Sequence, residues 1–168
     1  TLITGYRQTR GWARTRTIYF AMVFSKPLKS YGYGSDEDII YRGFYRKFNE
    51  KENFPEMAGT DITAWFRFDM TENEQLKVKV ALSSVSTNGA LLNLKAEVPH
   101  FDFNKTRSAA EEAWNRELGR VQITASETVK KNFYTSLYHA FLSPTVYMDV
   151  DCNYRGIDQN IHKAKGFV

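Results

Sequence analysis

The sequence contains little of what most catalytic and metal-binding motifs require. Its single cysteine, Cys152, excludes an internal disulfide and a cysteine-rich zinc site. Its three histidines are far apart in the chain, and neither a nucleophile elbow nor a phosphate-binding glycine loop is present. No apolar run approaches the roughly 18 residues that a membrane-spanning helix needs. The residues alone therefore indicate no reaction mechanism, and we expect no membrane span.

The chain also lacks a large charge excess. A net charge of +4 is too small by itself to identify a nucleic-acid-binding protein. The segment GYRQTRGWARTRTIYF at residues 5–20 interleaves arginines with aromatic rings, a pattern that suits single-stranded nucleic acid. The same pattern is typical of a solvated sheet edge near a turn at Gly11. We favour the sheet edge and expect no nucleic-acid partner.

Alternating apolar residues dominate the first two-thirds of the chain. The runs TIYFAMVF at residues 17–24, DITAWFRF at 61–68 and KVKVALSSVS at 77–86 all predict β-strands, and the first is apolar enough to be covered on both faces. Polar turns separate them, including Asn88-Gly89 after the third run. This organisation predicts antiparallel sheets, most simply a β-sandwich.

Helical spacing replaces the alternation after Pro99. One helix is predicted from Thr106 as N-cap to Gly119 as its C-terminal stop, and a second over residues 128–142, ended by Pro144. The fold class predicted is therefore mainly β with C-terminal helices.

Asp149, Asp151 and Asn153 alternate as the first ligands of an EF-hand calcium loop do. However, Tyr154 stands where that loop needs glycine, and Asn160 where it needs a bidentate glutamate. The alternative is an irregular loop whose carboxylates cap backbone N–H groups and pair with Arg155. We favour this alternative, so no metal ligand is assigned.

Four segments in order resemble glycoside hydrolase family 92, the calcium-dependent α-mannosidases. They are GWARTRTIYFAMVFSKP at residues 11–27, VKVALSSVSTNGALLNLKAEVPHFDF at 78–103, AAEEAWNREL at 109–118 and FYTSLYHAFLSPTVYMDVDCNYRGID at 133–158. The resemblance implies a fragment spanning the later part of an N-terminal β-sandwich and the start of an (α/α)6 catalytic barrel. Its implied domains are a partial sandwich at residues 1–104, a linker helix and short link at 105–125, and the start of the helical domain at 126–168.

The resemblance also implies a function for the parent protein. Members of the family are exo-acting, invert the anomeric centre, use calcium and act on mannose-containing glycans. We expect the catalytic acid and base, and the calcium ligands, to lie after Val168, so no catalytic residue is assigned and no calcium is expected in this chain. Arg155 and Asp158 are the expected sugar contacts. The alternative function is a non-catalytic carbohydrate-binding β-sandwich.

Two further expectations follow from the resemblance. The parent should be periplasmic or secreted, although no signal peptide is visible in this chain. The apolar stripe Phe133, Leu137 and Phe141 should be covered, either by the remainder of the parent enzyme or by self-association. One residue departs from the family pattern, because Cys152 stands where glycine is expected and would strain a left-handed backbone.

Overall fold

The structure, a computed structural model, describes residues 1–11, 15–34, 45–49, 54–58 and 62–168. Trp12 and Arg14 of the basic segment lie outside these residues. Contacts divide the chain into two units, one formed by Thr1 and Phe24–Lys77 and the other by Leu2–Val23 and Val78–Val168. The elements in chain order are β1 (Leu2–Thr9), β2 (Arg16–Phe24), β3 (Ser30–Gly34), β4 (Tyr45–Asn49), β5 (Phe54–Ala58), β6 (Thr63–Arg67), β7 (Val78–Ser83), α1 (Thr87–Glu97), α2 (Phe103–Leu118), α3 (Glu127–Phe141), β8 (Asn153–Arg155) and β9 (Ile161–Lys163).

The first unit consists of short antiparallel strand pairs. Strand β3 pairs with β6, and β4 pairs with β5. Phe24 is buried, and its ring centroid lies 5.7 Å from that of Phe66 and 5.0 Å from that of Phe68. Tilted ring pairs at these separations are favourable beyond the area they bury. This aromatic cluster packs the end of β2 against β6 and the residue just beyond it.

The second unit has a three-stranded sheet in the order β1-β2-β7, with β1 and β2 antiparallel. Every residue of β2 from Thr17 onward is buried or half-buried, as the apolar run predicts. Helix α1 packs against β7 and β1, and its buried residues Ala90 and Leu94 are four apart, on one helical face. The predicted class, mainly β followed by helices, is confirmed.

The predicted turn at Asn88-Gly89 is wrong, because both residues belong to α1. The Ser86 side chain caps this helix by accepting from the Gly89 N–H at 2.9 Å. A capped start followed by several leucines, which are strong helix formers, outweighs the local preference of Asn-Gly for a turn. The described chain therefore has three helices where two were predicted.

Helices α2 and α3 lie close to their predicted positions. The N-cap of α2 is Asp102 rather than Thr106, because the Asp102 carboxylate accepts from the Lys105 N–H at 3.0 Å. Gly119 is the C-cap, as predicted. The two helices meet where the Trp114 and Tyr138 rings lie 4.6 Å apart. None of the helices in the described residues is both long enough and apolar enough to cross a membrane.

Candidate functional site

The Asp149 side chain is buried where β7, α1 and the loop before β8 meet. Only 4% of the residue is exposed, and its carboxylate accepts from Ser83 Oγ at 2.6 Å and from Asn93 Nδ2 at 2.8 Å. It also touches Gly89 in the first turn of α1, where the helix dipole favours negative charge. Hydrogen bonds and this dipole compensate the loss of hydration that burial of a carboxylate entails.

Asn93 uses both ends of its amide to tie the loop to the helix. Its Nδ2 also donates to the Leu82 carbonyl at 2.9 Å, while its Oδ1 accepts from the Val150 N–H at 2.9 Å. Ser83 is equally engaged, because its hydroxyl oxygen accepts from the N–H groups of Val85 and Ser86 while donating to Asp149. The buried polar groups are thus satisfied by one another, which makes the arrangement specific.

The guanidinium of Arg155 donates to three backbone carbonyls. The distances are 2.8 Å from Nε to Ser84 O, 3.2 Å from Nη2 to Val85 O and 2.8 Å from Nη1 to Gln159 O. The expected pairing of Arg155 with the loop carboxylates is therefore wrong. The adjacent carbonyls of residues 84 and 85 instead accept from two neighbouring N–H donors of the planar guanidinium.

Two five-residue loops, 149–153 and 156–160, have the same geometry. In each, the first and last residues pair through an N–H to O bond, and the fourth residue bonds back to the first carbonyl. The fourth residues, Cys152 and Gln159, have φ of 66° and 68°. Each loop is closed by this left-handed residue, and the second loop is the hairpin connection between β8 and β9. In both, an aspartate accepts from the N–H and the amide of the asparagine two residues later.

The second loop presents Asp158 toward solvent beside His162. Nε2 of His162 lies 2.9 Å and 3.0 Å from the two carboxylate oxygens. Hydrogen bonding to His162, and then to Asn160, lowers the pKa of Asp158 to about 2. A carboxyl group with a lowered pKa stabilises the folded state above its unfolded pKa of about 4, and that contribution is lost as the pH falls through about 2. Asp158 is therefore an ionised acceptor at neutral pH.

The three side chains that resemble a calcium loop do not converge. Asp149 faces α1 and β7, whereas Asp151 and Asn153 bond to each other, with Asn153 Nδ2 2.7 Å from Asp151 Oδ2. The described residues contain no group of three His, Cys, Asp or Glu side chains arranged to hold a metal ion. Since calcium takes six to eight oxygen ligands, these side chains do not fit the ion. Asp151 caps a backbone N–H, as the alternative interpretation predicted.

The sequence predicted Arg155 and Asp158 as sugar contacts, which stays a prediction, and it did not single out Ser83, Asn93 or His162 as parts of a site. The structure places Arg155 at the end of β8 and Asp158 in the middle of the loop that follows, with His162 on β9. The repeated Asp-Xaa-Asn pattern at residues 151–153 and 158–160 was a usable signal for the paired loops. Ser83 and Asn93 gave no such signal, because nothing in their local sequence marks a contact with residue 149.

Replacing Cys152 with glycine is expected to raise the melting temperature. A non-glycine residue at φ of 66° is strained, and removing the side chain should stabilise the chain by about 1 kcal/mol, less the unfolded-state entropy that glycine adds. Gln159→Gly at φ of 68° is the matched comparison and should shift stability in the same direction. Thermal unfolding followed by circular dichroism measures both, and a lower melting temperature for Cys152→Gly would contradict the assignment of strain.

Comparison with known families accounts for nearly the whole chain. Residues 1–83 match the glycosyl hydrolase family 92 N-terminal domain, and residues 89–168 match the glycosyl hydrolase family 92 catalytic domain. All of helix α1 except its first two residues thus falls within the catalytic-domain match. The boundary predicted at residue 104 stays a prediction.

Solved structures agree over the full length of the chain. A family GH92 α-mannosidase from Bacteroides thetaiotaomicron is 38% identical, with a TM-score of 0.84 over 98% of this chain and 22% of its own. A family GH92 inverting mannosidase from the same organism is 26% identical, with a TM-score of 0.78 over 99% of this chain and 22% of its own. An uncharacterized secreted glycosidase of Arthroderma benhamiae is 30% identical in an alignment of 97 residues that covers 54% of this chain and 12% of that protein.

A β-sheet domain that leads directly into the helices of a catalytic domain defines this chain as part of a glycoside hydrolase. It belongs to glycosyl hydrolase family 92, with both domain matches in the family order. The chain spans about a fifth or less of the length of these relatives. Nothing in these matches supports a non-catalytic carbohydrate-binding module.

Proposed function

We propose that this chain is part of an exo-acting α-mannosidase that hydrolyses terminal α-mannosides of glycans with inversion at the anomeric carbon. The observation that carries the proposal is 38% identity, over 98% of the chain, to a family GH92 α-mannosidase. That enzyme has also been solved in complex with mannoimidazole, and a second relative is an inverting mannosidase. Mannose-containing glycans are accordingly the substrate class that we assign to the whole protein.

Inverting hydrolysis needs one carboxylic acid to protonate the leaving oxygen and one carboxylate to activate water, about 6.5–9.5 Å apart. Asp158, with a pKa of about 2, is ionised at neutral pH and cannot supply that proton. We assign the acid and base to parts of the protein outside this chain. The chain's own contribution is to shape the entrance to the helical domain and to bind sugar.

Sugar binding by Arg155 and Asp158 rests on their remaining hydrogen-bonding capacity. The carboxylate of Asp158 is about half exposed and has lone pairs that sugar hydroxyls can approach. Arg155 has five N–H donors and uses three on backbone carbonyls. A hydroxyl bound between them would be held by one ionised acceptor and one cationic donor.

Calcium, which the family resemblance implies for the whole enzyme, is assigned to residues outside this chain. The divergent arrangement of Asp149, Asp151 and Asn153 is the reason, since their oxygens face different partners.

The remainder of the protein is the partner that we assign to the exposed apolar surface. Phe141 is 45% exposed at the end of α3, and no residue of that helix is fully buried. Such a surface is covered in a stable enzyme, either by later helices or by a second copy. A secreted or periplasmic location is proposed by analogy with the secreted relative.

Proton NMR of the reaction tests the proposal. The whole protein is incubated with a short α-linked mannoside and the anomeric signals are followed from the first minutes. We expect the β-anomer of mannose to appear first and the α-anomer to grow later by mutarotation. Release of the α-anomer first, or of disaccharides from within a glycan, would contradict an inverting exo-acting enzyme.

A further inference from the structure

Residues 84–88 lie between the two family matches and form the junction of the two family domains. Residues 84–86 of this junction connect β7 to α1, and their backbone is held from both sides. Ser83 Oγ accepts from the N–H groups of Val85 and Ser86, at 2.9 Å and 3.2 Å, while its own proton goes to buried Asp149. Asp149 therefore sets the orientation in which the Ser83 hydroxyl accepts the junction N–H groups.

Arg155 holds the other side of the same junction. It donates hydrogen bonds to the carbonyls of Ser84 and Val85. Its third hydrogen bond goes to the carbonyl of Gln159, the residue after Asp158. One guanidinium thus bridges the junction and the loop that carries Asp158. The loop has a second fixed point in the bond from the Gly156 N–H to the Asn160 carbonyl at 2.9 Å.

We propose that Asp149 and Arg155 are positioning residues that lock the domain junction to the Asp158 loop, so that the sugar-contacting carboxylate is placed relative to the junction between β7 and α1. The role of Asp158 in sugar binding rests on the proposed function, whereas the coupling itself does not. Neither positioning residue has to touch substrate to exert this effect.

Arginine suits this position for a geometric reason. Its planar guanidinium presents donors in fixed directions, so it reaches two adjacent carbonyls and a third on the opposite side. A lysine ammonium concentrates three donors at one point and cannot span them. Arg155→Lys therefore preserves the charge and removes the bridge.

The coupling is tested without any sugar, on the 168-residue chain, by NMR. In Arg155→Lys we expect the Gly156 and Gln159 amides to exchange with solvent about tenfold faster, because their loop has lost one anchor. We also expect the pKa of Asp158 to rise from about 2 toward its ordinary value. The Lys130 amide of α3, bonded to the Ser126 carbonyl, should not change. Arg116→Lys, at an exposed arginine that pairs with the adjacent Glu117, is the matched control.

Asp149→Asn tests the other side of the junction and should accelerate exchange at Val85 and Ser86. If it fails to fold, Ser83→Ala removes the Oγ that accepts from the Val85 and Ser86 N–H groups and carries the same expectation. Unchanged exchange near residues 85 and 156–159, or a uniform acceleration that includes Lys130, would overturn the proposal, because a purely global loss of stability spreads over all amides.

In the whole protein, Arg155→Lys should raise KM about tenfold with a smaller change in kcat, because sugar binding loses the guanidinium donor as well as the correct placement of Asp158. Arg116→Lys should leave both unchanged. An unsubstituted protein without mannosidase activity would contradict the proposed function and leave the exchange experiment as the test of the coupling. If KM and kcat of Arg155→Lys equal those of the unsubstituted protein, the positioning role is overturned.

Discussion

Gly89→Ala is expected to destabilise the chain by about 3 kcal/mol, through overpacking together with the loss of buried hydrogen bonds. In an ordinary helix the same change stabilises by about 1 kcal/mol, because alanine restricts the unfolded chain and favours helix. Here a Cβ would collide with Oδ2 of Asp149 and lie 2.8 Å from Ser83 Oγ. Both atoms belong to buried groups that bond to each other, so neither can move away without leaving a polar group unsatisfied.

Gly166→Ala provides the matched control, because nothing lies within 4 Å of a Cβ built there. Its effect should stay within about 0.5 kcal/mol, as for most surface substitutions. Urea denaturation followed by fluorescence measures both variants. A Gly89→Ala variant as stable as the unsubstituted chain would mean that the Asp149 carboxylate is not held against α1.

The elements with strong periodicity could be predicted from the sequence. Strand β2 and helices α2 and α3 each have a continuous apolar pattern, and the structure places them within a few residues of the predictions. Helix α1 was not predicted, because its apolar pattern is short and directly follows Asn88-Gly89, a pair that locally favours a turn. What makes α1 a helix is its Ser86 cap and its packing on β7, and the packing is a tertiary effect that a local pattern does not contain.

The contacts of the candidate site also divide into those that local sequence predicts and those that depend on the tertiary fold. Asp158, Asn160 and His162 are close in sequence, so their mutual bonds follow from one hairpin loop. The contact between Ser83 and Asp149 joins residues 66 apart and depends on the whole fold of this unit. The partner of Arg155 was predicted incorrectly because local charge favoured a carboxylate, whereas the fold brings backbone carbonyls of residues 84 and 85 to it.

The 168-residue chain alone is expected to show no hydrolysis of α-mannosides, with or without added calcium. Inverting hydrolysis requires a protonated acid at neutral pH, and removing such a group lowers rates by about a hundredfold to ten-thousandfold. Asp158 is ionised at neutral pH. Asp149 is buried and accepts hydrogen bonds from Ser83 and Asn93, and Asp151 accepts one from the Asn153 side chain. Calcium should not rescue activity, because the oxygens of the loop do not converge on a common point.

The measurement uses a chromogenic α-mannoside, with the whole protein as the positive control. The chain should match the buffer blank, whereas the whole protein should turn over. Calorimetric titration of the chain with calcium should give no binding tighter than about a millimolar, weaker than the sensor class of calcium loops. Turnover by the chain that disappears in Asp158→Asn would place the chemistry within these residues. It would also contradict the assignment of the acid and base to the rest of the protein, because a group that only binds sugar cannot create activity where no acid and base exist.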